Sequence, residues 1–184
     1  MGVQNIRVEP ARVSWDGDDI GLTDGDIEIT FEEQVEEVLA QQTGTNVLSE
    51  IRTGKQIEAI TINIQETTEE RLKEFFAASG GSFTPDEQDA TEVAGWGFSK
   101  DFTQVTAQAK SLILHPVVKD AGDLSRDMRF WLAYPDLDSI MYSGESRQML
   151  SVSFKIFPDM SKVSELRYFA FGDHTQDLDE PVNE

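Results

Sequence analysis

Between Asp26 and Leu39, apolar and acidic positions alternate. Ile27, Ile29, Phe31 and Val35 share one parity; Asp26, Glu28, Glu32 and Glu36 share the other. A period of two predicts a strand, here with one apolar and one carboxylate-bearing face. The pattern returns in "KQIEAITINIQE", where Ile60, Ile62 and Ile64 oppose Thr61, Asn63 and Gln65. It returns again in "QMLSVSFKIF", where Leu150, Val152, Phe154 and Ile156 oppose Ser151, Ser153 and Lys155. Met128, Phe130, Leu132 and Tyr134 form a further apolar set, alternating with Asp127, Arg129, Trp131 and Ala133. "VTAQAKSLILHPV" predicts a strand ending at Pro116, and "RYFAFG" a last one.

Shorter signals fill the gaps. Val3, Ile6 and Val8 predict a first strand closed by Pro10. Val13 and Trp15, a turn at Asp16-Gly17, then Ile20 and Leu22 predict a hairpin, and Asp24-Gly25 a second turn. "TTEERLKEFFAASGG" carries the strongest helix signal. Thr67 and Glu70 have capping-box spacing, Leu72, Phe75, Phe76 and Ser79 share a face, and Gly80 ends it. A helical turn is expected over Ser161–Leu166, and Asp120–Asp127 reads as a polar turn. Residues 40–54 read as a long loop, and residues 80–104 as loop-rich with an edge strand at Val93–Phe98. The expectation is one mainly β domain over residues 1–172, an antiparallel sandwich or barrel with one packed helix, then an acidic tail over 173–184.

Charge narrows the function classes. The chain of 184 residues has 35 acidic against 15 basic ones, a net charge of −20, which disfavours stable binding to nucleic acid or anionic membrane. It has no cysteine, which excludes disulfides, thiolate catalysis and zinc–thiolate sites. "MGVQNIRVEP" has no apolar run to serve as a secretory signal, and Ile6 stands where a myristoylation motif needs Ser or Thr. No apolar stretch reaches membrane-spanning length.

Candidate chemistry is sparse. The two histidines, His115 and His174, have no metal-ligand spacing and read as structural or solvated. "DGDDIGLTDGDI" fails as an EF-hand because its fifth and twelfth positions are Ile20 and Ile27. A calcium site of another kind at Asp16, Asp18 and Asp19 stays open as the alternative to two acid-glycine turns. No phosphate loop or Gly-x-Ser-x-Gly elbow is present. The sequence therefore points to no enzyme and no cofactor. It points to a sheet with one wet, negative side, as antiparallel sheets allow. Such a wall would repel phosphates and let a polyanion slide past.

Taken in order, "GLTDGDIEITFEE", "QQTGTNVLSEIRTGKQIEAITINIQETTEERLKEFF", "AKSLILHPV", "YSGESRQMLSVSFKIFPD" and "YFAFGD" give the chain a resemblance to the tail tube (major tail) proteins of long-tailed bacteriophages. "FTPDEQDATEVAGWGFSKDF" matches no part of that pattern. The resemblance implies a small β-sandwich-like barrel with a flanking helix. Six copies would form a ring, their inner sheets joined into one barrel, and rings would stack into a tube carrying DNA without specific binding. It implies a lumen lined by Asp26, Glu28, Glu32, Thr61, Asn63, Gln65, Ser151, Ser153 and Lys155. It implies an inter-subunit loop including Gln41, Gln42, Thr43, Val47, Leu48, Ile51 and Arg52, with Arg52 and Lys55 pairing acidic residues across the contact. Other tail proteins would be partners, and the chain would be made in a bacterial cytoplasm and end in a virion. A tail terminator, a secretion-system tube ring and a calcium-dependent binding module are the alternatives.

Overall fold

The structure is a computed structural model and describes residues 10–39, 47–66, 69–85, 93–98, 104–141, 149–173 and 175. The predicted strand at Val3–Val8, the loop residues Gln41, Gln42 and Thr43, the Thr67 cap, His174 and most of the acidic tail lie outside these residues.

Strands β1 (Ala11–Trp15) and β2 (Asp18–Asp19) form the expected hairpin. Its turn holds Asp16 at φ 54° and Gly17 at φ 90°, the left-handed pair that matches strand twist. β3 (Leu22–Thr23) and β4 (Glu28–Leu39) follow, and both pair antiparallel with β5 (Val47–Glu66). Asp24-Gly25 is therefore not a reversing turn. The Asp24 N–H donates to the Asn63 carbonyl at 2.8 Å, which holds the chain on β5. Gly25, at φ 73°, takes up the irregularity between β3 and β4.

Helix α1 (Glu69–Ala78) buries Phe75 and Phe76 and stops at Gly80, which has φ 81° and donates to the Ala77 carbonyl. β6 (Gly81–Pro85) and β7 (Val93–Phe98) make a separate two-stranded sheet, so the expected edge strand has a partner from the loop-rich region. Val105 to Gln108 form a helical turn, α2, rather than the start of the next strand. None of these four residues is buried, so extended pairing there would bury no apolar face. β8 (Lys110–Pro116) begins after it and buries Leu112 and Leu114. A 3-10 turn at Leu124–Arg126, β9 (Met128–Met141), β10 (Met149–Phe157), a second 3-10 turn at Ser164–Leu166 and β11 (Phe169–Phe171) complete the described chain.

Among the described residues nine strands form one antiparallel sheet in the order β2-β1-β8-β9-β10-β5-β3. β4 also pairs with β5, and β11 with β9. The fold is mainly β, a curled half-barrel with few helices. Trp15 on β1 and Phe154 on β10 meet across the curl, ring centroids 6.5 Å apart. Phe75 of α1 fills the concave side between them, 5.5 Å from Trp15 and 6.1 Å from Phe154. The indole N–H of Trp15 donates to the Ala133 carbonyl at 3.1 Å, so this buried aromatic leaves no polar atom unsatisfied. Ile60, Ile62, Ile64, Leu150, Val152 and Ile156 complete the core around this trio. The helix is thus clamped by aromatic packing, and truncating Phe75 to alanine would cost about 3–5 kcal/mol.

One predicted alternation breaks. Leu112 on β8 faces Phe130 on β9, but Lys110 faces Ala133. β9 therefore carries one extra residue at Trp131–Leu132, a bulge that flips the parity beyond it. Phe130 is core, and so are Ala133 and Pro135. Leu132 and Tyr134, expected on the apolar face, turn the other way.

Gly81 sits against the end of α1. A Cβ there would lie 2.1 Å from the Phe76 ring and 2.4 Å from the Phe76 carbonyl oxygen. Gly122 has open space and no positive φ. Gly81→Ala should lower stability by about 1–3 kcal/mol in urea unfolding, and Gly122→Ala should stay within about 0.5 kcal/mol of the parent.

Candidate functional site

Apart from Asp26, the residues expected to share a wet face lie on one side of the ladder. Ladder register sets three rows across the sheet. Glu28 faces Thr61, Thr61 faces Ser153, and Ser153 faces Asp136. One step along, Thr30, Ala59, Lys155 and Tyr134 form a second row. On the other side, Asn63, Ser151 and Ser139 form a third. The intervening residues, Ile60, Ile62, Val152 and Phe154, are fully buried, so the phase of this face is fixed by the core. Thr61, Asn63, Gln65, Ser151 and Ser153 are half-buried, whereas Glu28, Glu32, Glu36 and Lys155 are exposed. Asp26 is exposed but precedes β4, outside the ladder.

Tyr134, Asp136 and Ser139 of β9 belong to this face and were not anticipated. The signal was masked by two bulges. The first is at Trp131–Leu132; the second leaves Asp138 extra between Leu137 opposite Val152 and Ser139 opposite Ser151. Lys155 Nζ donates to Asp136 Oδ2 at 2.5 Å. That hydrogen bond holds the Lys155 ammonium above its usual range, against the opposing effect of partial burial. Burial, and then the Asp136 charge, push the Tyr134 phenol up.

The same side of the sheet is dry farther along. Trp131 is buried there and donates to the Leu166 carbonyl at 2.7 Å. The Arg129 guanidinium and the Lys162 ammonium each lie 4.9 Å from its ring centroid. The chain between β10 and β11 is thereby pinned over this end, and the polar rows stay open.

The predicted loop over residues 40–54 is corrected from Val47 onward, residues 40–46 lying outside the described residues. Val47, Leu48, Ile51 and Arg52 lie on β5, paired with β4 as far as Leu39 opposite Val47. β10 stops pairing with β5 at Ala59. Beyond that point, among the described residues, β4 and β5 continue as a two-stranded arm, residues 31–39 against 47–58, about 30 Å long at strand rise. β5 carries one surplus residue at each of three places. Glu58, Thr53 and Leu48 are skipped between Ala59 and Ile57, Gly54 and Arg52, and Ser49 and Val47. These bulges, five residues apart, scramble the alternation of β5 while that of β4 stays intact, so the segment lacks a strand period in sequence. Within the arm Lys55 stands opposite Glu33 and Arg52 opposite Val35.

The arm has two unlike faces. Glu28, Glu32 and Glu36 share one, where Gln56 Nε2 donates to Glu32 Oε2 at 2.7 Å. Phe31 and Val35, 53% and 51% exposed, share the other with Glu33 between them. The carboxylates stand four residues apart, about 13 Å, so each pair repels by only about 0.3 kcal/mol in water before salt screening. Thr30 and Gln34 occupy the positions between them. A column of acids is therefore tolerable within one chain because it is diluted one in two.

The remaining described polar candidates make local hydrogen bonds and ion pairs. His115 Nδ1 lies 2.7 Å from Oδ1 of Asp127, which is 2% exposed, and the Asp127 carbonyl accepts from the Gly172 N–H at 2.8 Å. The pair ties β8, β9 and the end of β11 together. Asp123 accepts from Lys119 Nζ at 2.7 Å and from Ser125, and these bonds hold its carboxyl well below the usual carboxylate range. In the acidic hairpin, Asp19 Oδ1 accepts from the Gly21 N–H and Asp16 pairs with Lys110 at 3.5 Å. Among the described residues no group of three or more His, Asp or Glu side chains could hold a metal ion. No helix among them is long and apolar enough to cross a membrane.

Compared with protein-family models and with curated proteins, the sequence matches none.

The spacing of the acid column is open to direct test. Thr30→Glu together with Gln34→Glu would halve it to about 7 Å, adding about 0.6 kcal/mol of repulsion per neighbouring pair in water. The double variant should be less stable than the parent at 10 mM salt and recover most of the loss at 1 M salt. Equal deficits at both salt concentrations would show that packing, not charge, sets the limit.

Proposed function

We propose that the chain is the ring-forming structural subunit of a tube, of the kind built by phage tails, with the polar rows and the acid column lining its hole. The observation that carries this reading is the two-faced arm. An isolated two-stranded ribbon is marginal in water. This one leaves Phe31 and Val35 uncovered on one side, where a second copy of the chain would seat. Its other side bears Glu28, Glu32 and Glu36 in line with the rows of Thr61, Ser153, Asn63 and Ser151. Covering that side keeps Glu28, Glu32 and Glu36 in water and takes Glu33, which stands opposite Lys55, into the contact. A ring built that way surrounds a negative opening that repels DNA phosphates and lets the polymer slide through without specific binding. Of the expected contact residues, Val47, Leu48, Ile51 and Arg52 are strand residues of the arm.

In this reading the subunit stacks as hexameric rings, meets other tail proteins at the ends of the tube, uses no cofactor, does not bind membrane itself, and resides in the virion after synthesis in the bacterial cytoplasm. A net charge of −20 per copy opposes assembly and is screened over about 8 Å at physiological ionic strength. Electron microscopy of the purified protein should show rings or tubes, more of them as salt is raised from 50 mM to 500 mM. Val35→Asp should weaken assembly at least about tenfold, the scale of losing one buried valine, and leave the free subunit's unfolding unchanged within about 0.5 kcal/mol. No rings at any salt, or undiminished assembly of Val35→Asp, would overturn the reading.

A further inference from the structure

We infer that Asp136 determines the non-adhesive character of the polar rows by masking the one cation among their described residues, Lys155; the inference rests on the conduit reading above. Lys155 is the single cation in the three rows that cross the sheet. Its side chain is 53% exposed, within reach of anything that slides over the face. A bare ammonium here would recur once per subunit around the hole and hold phosphates, since each lysine that neutralises a phosphate releases a counterion.

The geometry supplies the mask. Lys155 stands opposite Tyr134, and Asp136 lies two residues farther along β9, opposite Ser153. That is the diagonal position a long side chain reaches. The ammonium bonds to the carboxylate there at 2.5 Å. Asp138, the bulged residue, adds negative charge near Lys155, but only Asp136 forms a hydrogen bond with it. Tyr134 is the other titratable neighbour in the row. The cations at the dry end, Arg129 and Lys162, are stacked on Trp131, and Arg129 also donates to Ser111 Oγ at 3.0 Å.

The experiment compares labelling of Lys155 by a sulfonated and by a neutral N-hydroxysuccinimide ester at low salt, read by peptide mass spectrometry on the free chain. Removing one negative charge at contact distance should raise the sulfonated-to-neutral ratio at Lys155 about two- to fourfold in Asp136→Asn. Asp138→Asn should raise it less, and the ratio at Lys119 should not move. An unchanged ratio in Asp136→Asn, or an equal rise in Asp138→Asn, would overturn the masking role. On assembled rings, Asp136→Asn should retain a short DNA duplex at 50 mM salt, whereas the parent and Asp136→Asn/Lys155→Met should not. Retention by the double variant equal to that of Asp136→Asn would also overturn it. If no rings form, the conduit reading fails while the ester ratio still decides the masking.

Discussion

Burial of Ile60, Ile62 and Ile64 is the constraint on which the rest of the molecule hangs. These three side chains are at most 1% exposed. They fix which way every residue of β5 points, because slipping a strand by one residue would exchange its faces. β5 is paired on one side with β10 and on the other with β4 and β3, so its phase is imposed on both neighbours. Thr61 can then lie only between Glu28 and Ser153, and the polar rows follow. Phe154 and Val152 on β10 lock the same phase from the neighbouring strand, each fully buried. A slip would have to expose this whole set at once.

What the sequence revealed follows from the same physics. Wherever strands keep a strict period of two, the faces can be read directly: the Ile60–Ile64 stretch, the Leu150–Ile156 stretch and the acid column of β4 all lie as their alternation predicts. Helix α1 was legible because its apolar face and its glycine stop agree with each other. The misreadings fall where a bulge intervenes. Three extra residues on β5 broke its alternation every five positions and made the inner half of the arm look like a loop. One extra residue at Trp131–Leu132 moved Tyr134 from the expected apolar set to the polar face, and another at Asp138 hid how β9 continues it. A bulge is defined by its partner strand, so no period within the strand itself announces it. The two residues that define the proposed mask, Lys155 and Asp136, were therefore unequally visible. Lys155 stood in a clean alternation, whereas Asp136 stood between two interruptions.

The bulges also explain how one ribbon serves two purposes. If β5 had matched β4 residue for residue, its own sequence would have placed Ile57 and Ile60 on opposite faces, since they are three apart. The surplus residue Glu58 brings both to the core side, where they are 4% and 0% exposed. β4 gives up nothing: Ile29 faces Ile60 and Phe31 faces Ile57, with Glu28, Glu32 and Glu36 still in phase on the other side. The irregularity is thus confined to the strand that is paired on both sides at its base, and the edge strand stays regular. Bulges also add local twist and bend, so the arm departs from the plane of the sheet that carries it.

A strand as long as β4, at the edge of the sheet among the described residues, is a hazard, because sheet edges invite further strands. Its alternating acids answer that hazard in one chain and recast it in an assembly. The carboxylates are spaced widely enough to cost little within a single strand, but copies brought side by side add their columns together. Repulsion between columns acts over the screening length and is weakest where they diverge, whereas burial of Phe31 and Val35 acts only at contact. The balance favours arrangements that bring the apolar sides together and keep the acid sides apart across open water. The proposed ring would meet both demands at once, whereas a flat stack of sheets would satisfy the first and violate the second.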